Sequence, residues 1–261
     1  MLDREELERI VREAGRIGMG LWPGAGHAPQ VWDKPDKSPV SAADMAVDTF
    51  LRTELSTLVP QAGWLSEETE DTLERLGRDL IWLVDPIDGT RDFLRGRDGW
   101  AVSVALIKSG QPLIASLYAP AKDEFWSAER GQGARRNGDR LRASRRAALS
   151  GSRMPADLPI RGSGKEHGFV AVAKPNSIAL RIAMVAADEA DLVGTTRWGH
   201  EWDLGAACLI ASEAGAIVTD ACGDDLVFNK SNPRILGVLA AASEIHSDAA
   251  RNLKKALSQT R

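Results

Sequence analysis

Apolar residues recur along this chain in two periods, and the alternation between them lays out its elements. Leu7, Ile10, Val11, Ala14 and Ile17 repeat at helical intervals behind Asp3 and Glu6, which have capping-box spacing. That helix should close near Gly18 to Gly20. Pro23 to Pro39, rich in Gly, Pro and Lys, reads as a loop. A second helix opens at Ser41, with Asp44 in its first turn and Phe50, Leu51, Leu55 and Leu58 packing inward. Gly63 starts a short strand, GWLSEET, that runs into acidic residues. The run Ile81, Trp82, Leu83, Val84 predicts a buried strand that stops at Asp85, where Pro86 opens a tight turn through Asp88, Gly89 and Thr90. WAVSVALI, PLIASLYAP and EFWSAE follow as antiparallel strand candidates, separated by turns at Ser109-Gly110 and around Gly131 to Gly138.

The second half mixes the same elements at other lengths. FVAVAK and DLVGT predict short strands, Ser177 to Ala187 a helix, and WDLGAACLIASEAG a helix closed by Gly215. AIVTD and the segments around LVFN and ILGVLAA predict strands, followed by a helix from about Ser243. Because tight turns join many strands directly, the pattern points to α+β layers with antiparallel or mixed sheets rather than a doubly wound parallel sheet. Ala143 to Lys165, low in apolar periodicity, marks a seam within a single domain of two halves, 1–145 and 146–261.

Composition narrows the class. A hydrophobic share of 43% and a charged share of 27% suit a globular enzyme with an ample core. The net charge of −4 argues against a general nucleic-acid-binding surface. A small phosphorylated ligand stays compatible, since bound metal can supply positive charge locally. Cys208 and Cys222 have no CxxC spacing and no clustered histidines beside them, so zinc and redox motifs lack support; Cys208 fits a buried helix face. MLDREELERIVREAG lacks the apolar block of a signal peptide, and runs such as ILGVLAAA are too short to span a bilayer. The expectation is a reduced, cytoplasmic protein with no membrane or nucleic-acid partner.

Four segments place a carboxylate at a strand end or a helix start: Glu67 after GWLS, Asp85 and Asp88 about the Pro86 turn, Asp203 after Trp202, and Asp44 behind Ser41. Two carboxylates aimed at one point repel unless a cation lies between them, and Mg²⁺ favours all-oxygen surroundings. Backbone N–H groups at the turn suit a phosphate. Each residue also has a plainer reading: an Asp-Pro strand terminator, a helix cap at Asp88 or Asp203, a dipole partner at Asp44. Glu68 and Glu70 read as solvated.

Together the motifs K-x-D-x-S-P-V-S-x-A-D (Lys34 to Asp44), S-E-E-T, W-L-V-D-P-I-D-G-T and W-D-x-x-A-A…E-A-G (Trp202 to Gly215) resemble the inositol monophosphatase superfamily of Mg²⁺-dependent, lithium-sensitive phosphatases. The resemblance runs through nearly the whole chain and implies a layered αβαβα sandwich with two or three Mg²⁺ ions per site. It implies Glu67, Asp85 and the Ile87 carbonyl as ligands of one ion, and Asp85, Asp88 and Asp203 as ligands of a second. It further implies Glu67 and Thr90 as holders of the attacking water, with Asp44 polarising Thr90. Substrate would meet Asp88, Gly89, Thr90 and Asp203, with phosphate on the Gly89 and Thr90 amides. No residue of this set is a plausible covalent nucleophile, so water attacks directly. A homodimer is a family expectation.

The ester is less legible. The family's inositol-contacting Glu, seven residues before the WD aspartate, is Thr196 here; GEE is SEE at Ser66, and EAGG ends at Ala216. SPVSAAD, GWLSEET, VDPIDGTRDF and the SIALR helix start look most like bacterial CysQ-type 3′(2′),5′-bisphosphate nucleotidases of sulfur assimilation, which remove the 3′-phosphate of adenosine 3′,5′-bisphosphate. Arg91, Lys174, Arg181 and Arg197 are candidates for the second phosphate, against solvated roles. Trp198 and His200 could face adenine or simply pack. Alternatives are an inositol, histidinol or sugar phosphatase, and a non-catalytic module, which the complete carboxylate set disfavours. GSGK at Gly162 lacks the full P-loop pattern.

Overall fold

The computed structural model describes residues 3–27, 30–33, 39–156 and 167–260. Lys34, Asp36 and Ser38 of the first motif, and Gly162 to Lys165, lie outside the described residues. The chain folds into alternating layers of helix and sheet, the αβαβα sandwich expected of it. The outer helices are α1 (Arg4–Met19), capped by the Asp3 carboxylate on the Glu6 amide, and α2 (Ala42–Leu58), opened by a Ser41–Asp44 capping box. They cover one face of a seven-stranded sheet ordered β3-β4-β5-β6-β7-β8-β9: β3 (Gly63–Ser66), β4 (Leu80–Asp88), β5 (Ala101–Lys108), β6 (Gln111–Ala119), β7 (Glu124–Glu129), β8 (Gly133–Arg136) and β9 (Asp139–Arg140). Only β3 and β4 pair in parallel within this sheet, which makes it mixed.

The helix α4 (Ile178–Ala186) and the helix α5 (Glu201–Glu213) form the middle layer. Beyond them lies an antiparallel sheet, β12-β14-β13, of β12 (Leu192–His200), β13 (Ala216–Thr219) and β14 (Arg234–Ala242), and α6 (Ser243–Thr260) closes the stack. Being enclosed on both sides explains two sequence patterns. Strand β5 is buried at every position but its last, and α5 buries Leu204 through Ala211 without a polar face. Three apolar clusters fill the gaps: under α1 and α2, around α4 and α5, and beneath α6.

Several expectations are corrected. Strand β4 does not stop at Asp85; it continues to Asp88 across a register shift, because a bulge absorbs Pro86 while backbone pairing resumes at Asp88↔Ala101. Within the loop at 23–39, Val31–Asp33 (β1) pairs with Pro39–Ser41 (β2). The Gly131 to Gly138 turn region contains β8, held by β7. Inside the seam at 143–165, Arg153–Pro155 (β10) pairs in parallel with Val170–Val172 (β11) of FVAVAK. DLVGT extends to His200. LVFN is no strand: its backbone is held from outside a ladder, with the Phe228 amide on the Gly110 carbonyl and the Asn229 amide on the Glu201 carboxylate.

Candidate active site

Each predicted carboxylate is placed by a local device. Strand β3 ends at Ser66, and the Glu67 amide still donates to the Val84 carbonyl (3.2 Å), so Glu67 emerges beside the end of β4. Ser66 and Thr69, on either side of it, both donate their hydroxyls to Asp48 of α2, Thr69 at 2.7 Å. Asp48, 5% exposed, thus fixes the segment presenting Glu67, and sequence reading missed it. Its one signal was a carboxylate four residues after Asp44, on the buried face of the same helix. The serine of SEE, where the family has glycine, supplies one of those hydroxyls.

On β4 the Asp85 carboxylate accepts the Ile87 amide (3.1 Å), and the Thr90 hydroxyl donates to the Ile87 carbonyl (3.2 Å). Gly89, at φ +97°, is the N-cap of α3 (Thr90–Leu94). Asp44 receives the Ser41 amide (2.8 Å) and hydroxyl (2.6 Å), so its plainer capping role is real, and the residue is also part of the site's electrostatics. Asp203 sits in the first turn of α5 and receives the His200 amide (2.8 Å).

Glu67, Asp85 and Asp203 each offer a carboxylate oxygen, all within 4.8 Å of one another. Asp88 faces differently: its carboxylate takes the Ser177 hydroxyl (2.5 Å) and the Ala179 (2.7 Å) and Ile178 (3.3 Å) amides, capping α4. Burial pushes the Asp85 carboxyl well above the usual carboxylate range, reinforced by the charges of Glu67, Asp88, Asp203 and Asp44. Asp88 is pushed up to about 6 by burial, opposed by its Ser177 and Ala179 hydrogen bonds and by Arg181. A buried Asp85 with the half-buried Glu67 and Asp203 beside it makes a set of mutually repelling carboxylate oxygens that suits a hard divalent cation. It fits a metal such as Mg²⁺.

A model of the inositol monophosphatase family matches residues 5–258. The chain belongs to the inositol monophosphatase family. Members of that family are metal-dependent phosphatases of small phosphorylated substrates, and the acidic cluster could hold such a metal. Over 84% of its length the chain is 35% identical to an inositol-1-monophosphatase of Mesorhizobium japonicum, covering 84% of that protein. It is 33% identical to the 3′(2′),5′-bisphosphate nucleotidase CysQ of Escherichia coli O157:H7, over 87% of this chain and 93% of that one. The crystal structure of the extragenic suppressor protein SuhB from Bartonella henselae superposes with a TM-score of 0.82 at 30% identity, covering 97% and 98% of the two chains.

Around this acidic cluster, the remaining candidates differ in burial. Arg181 is half-buried, donating to the Pro175 (2.8 Å) and Asn176 (2.5 Å) carbonyls within reach of Asp88's charge. Arg91, Lys174 and Arg197 are exposed. Thr196 is half-buried at a bulge in β12. Trp198, 56% exposed, carries the Arg234 guanidinium 4.7 Å from its ring centre, and His200 stacks on Trp202 at 4.4 Å. Glu70 is exposed as expected; Glu68 is half-buried, its amide on the Ser66 hydroxyl (3.4 Å), which corrects its solvated reading. Cys208 is buried, and burial pushes its thiol up, as suits an inert core residue. No helix among the described residues is long and apolar enough to cross a membrane.

Proposed function

We propose that this chain is a Mg²⁺-dependent phosphomonoesterase that removes the 3′-phosphate of adenosine 3′,5′-bisphosphate by direct attack of water. The observation that carries the phosphatase reading is the convergence of Glu67, Asp85 and Asp203 within 4.8 Å at the ends of separate elements. On this reading Glu67, Asp85 and the Ile87 carbonyl hold one ion, and Asp85, Asp88 and Asp203 a second. When bound, Mg²⁺ lowers the pKa of water and neutralises charge on the phosphoryl and leaving oxygens.

The chain's own groups do the rest. Glu67 and Thr90 orient the attacking water, Thr90 by turning its hydroxyl proton from the Ile87 carbonyl toward Asp44 so that its oxygen accepts from the water. Asp44, immobilised by Ser41, biases the site's charge and polarises Thr90. Gly89 and Thr90 present backbone amides to the phosphate, and Asp203 approaches the ester beside the leaving group. Asp88 ties the site to α4 through Ser177 and Ala179, so a proton or ligand at Asp88 is felt at that helix. Because α5 packs between both sheets, we read 1–261 as one catalytic domain of two halves, 1–145 and 146–261, the second supplying Asp203.

Support for the nucleotide comes from Thr196 in place of the family's inositol-contacting Glu, and from the likeness to CysQ. Arg181, a half-buried cation whose charge acts on Asp88, is the best-held candidate for the second phosphate. A second reading, inositol monophosphatase, is favoured by the 35% identity to the Mesorhizobium enzyme. A phosphate-release panel of adenosine 3′,5′-bisphosphate, inositol 1-phosphate, histidinol phosphate and fructose 1,6-bisphosphate decides between them. The expected result is a kcat/KM for the nucleotide at least tenfold above the others; a preference for inositol 1-phosphate by that factor rejects the nucleotide reading. No Mg²⁺-dependent release from any ester rejects the phosphatase.

A further inference from the structure

Arg75 is 2% exposed, yet nothing in the site's chemistry uses it. It lies in the segment after Glu67, and its guanidinium is engaged on two fronts. On its own side, Nε and Nη2 donate to the two Asp71 carboxylate oxygens at 3.0 and 2.6 Å. Across the molecule, Nη1 donates to Asn229 Oδ1 (2.7 Å) and Nη2 to the Lys230 carbonyl (3.0 Å), residues more than 150 positions away. The amides of those two residues in turn donate to the Glu201 carboxylate, at 2.6 Å from Asn229 and 3.1 Å from Lys230. Glu201 is fully buried and is the first residue of α5, two before Asp203.

The other end of the chain of contacts is equally tight. A β-carbon on Gly63, which begins β3, would lie 2.9 Å from the Arg75 β-carbon and 3.0 Å from its α-carbon. Backbone of the Arg75 segment therefore lies directly against the strand that delivers Glu67. Asn229 holds its place in a left-handed conformation (φ +63°), and its side-chain amide returns a bond to the Arg75 carbonyl (3.4 Å). A buried arginine that reaches acceptors in a planar fork is geometrically demanding, which suits a spacer between two rigid parts.

We propose that Arg75, with Asn229 and Glu201, is a positioning brace that sets the separation of Glu67 from Asp203 and thereby tunes metal affinity without touching metal or substrate. The proposal rests on the reading of those two carboxylates as metal ligands. Glu67 and Asp203 come from separate elements that both abut β4, Glu67 through its amide on the Val84 carbonyl and α5 through Gly205 against Leu83, and the brace adds a second tie between them on the far side of β3. The brace links the segment packed on the start of β3 to the start of α5 through four charge-assisted hydrogen bonds, two from Arg75 to Asn229 and Lys230 and two from their amides to Glu201, while Asp71 anchors the Arg75 fork.

The test uses Arg75→Lys, which keeps the charge but loses the fork, and Asn229→Gly, which removes the acceptor while suiting the positive φ. Mg²⁺ binding to the full chain is measured by calorimetry without substrate, beside the Mg²⁺ concentration for half-maximal activity and the KM for the ester at saturating metal. Both variants should bind Mg²⁺ at least tenfold more weakly, and activity should recover at high Mg²⁺ with KM within twofold of wild type. Unchanged Mg²⁺ affinity in both, with only the melting temperature lowered, overturns the brace and leaves a structural stitch. Glu67→Gln separates the two levels of the argument. Wild-type Mg²⁺ binding in that variant overturns the metal-site reading itself, whereas lost binding there and normal binding in the other two overturns the brace alone.

Discussion

Gly89→Ala tests how tightly the candidate site is built. Gly89 has φ +97°, and a β-carbon there would lie 2.7 Å from the Gly99 carbonyl oxygen and 2.9 Å from the Ser177 amide nitrogen. Those two atoms are the ends of one hydrogen bond, 2.9 Å long, that fastens the start of α4 to the chain ahead of β5. Three costs follow. The left-handed backbone costs an L-residue about 1–2 kcal/mol. Forcing a methyl group between packed backbones costs about 1–3 kcal/mol. Losing the bond costs about 1 kcal/mol. They share atoms and will not add fully, so about 3–5 kcal/mol is expected. At about 2–4 °C per kcal/mol for a chain of this size, the melting point should fall by about 6–20 °C. Gly131→Ala is the control: φ is +78° there, but nothing lies within 4 Å of the added carbon, so the backbone cost of about 1–2 kcal/mol stands alone. Urea unfolding of both variants in EDTA gives the difference, and phosphate release reports the site. If the two variants unfold within about 0.5 kcal/mol of each other, the collision is relieved cheaply and the rigidity argued for this turn is wrong.

Two further perturbations separate charge from scaffold. Asp203→Asn keeps an oxygen for the His200 amide while removing a charge that repels Asp85, so metal-free stability should hold or rise. Mg²⁺ affinity and kcat/KM should fall by about a hundredfold or more; near-wild-type turnover would remove Asp203 from the metal set. His246, 7% exposed with Nε2 3.1 Å from the Thr219 hydroxyl, has its pKa held below the usual 6.5 by burial. The unfolded chain then binds this proton more readily, so its contribution is complete above about pH 6.5 and is lost as pH falls through the folded value. His246→Gln should flatten the fall in urea midpoint between pH 7.5 and 5.5; an identical slope in both proteins would refute this assignment.

What the sequence made legible follows the range over which its signals act. Capping boxes and strand periods are recorded within a few residues, so Ser41, Asp44 and the first turn of α5 read from the sequence as the structure has them. The run to Asp88 was misjudged because Pro86 argues for a strand end, while the pairing that overrides it comes from Ala101 on β5. Asp48 and Arg75 were missed for a related reason. Each acts through partners that no local pattern announces: Ser66 and Thr69 for one, Asn229 and Lys230 for the other. Substrate choice is hardest for a third reason. Thr196 and Trp198 lie where β12 shifts register against β14, between Thr195 and Trp198. A bulge breaks the two-residue alternation that tells which face a side chain takes. Past the bulge, Gly199 has Asp203 on its side, since a β-carbon there would lie 3.0 Å from the Asp203 carboxylate. Strand alternation then turns Trp198 and His200 to the opposite face. That geometry weighs against either ring stacking on an adenine held at Asp203, and leaves recognition of the leaving group to residues on the Gly199 side of the strand.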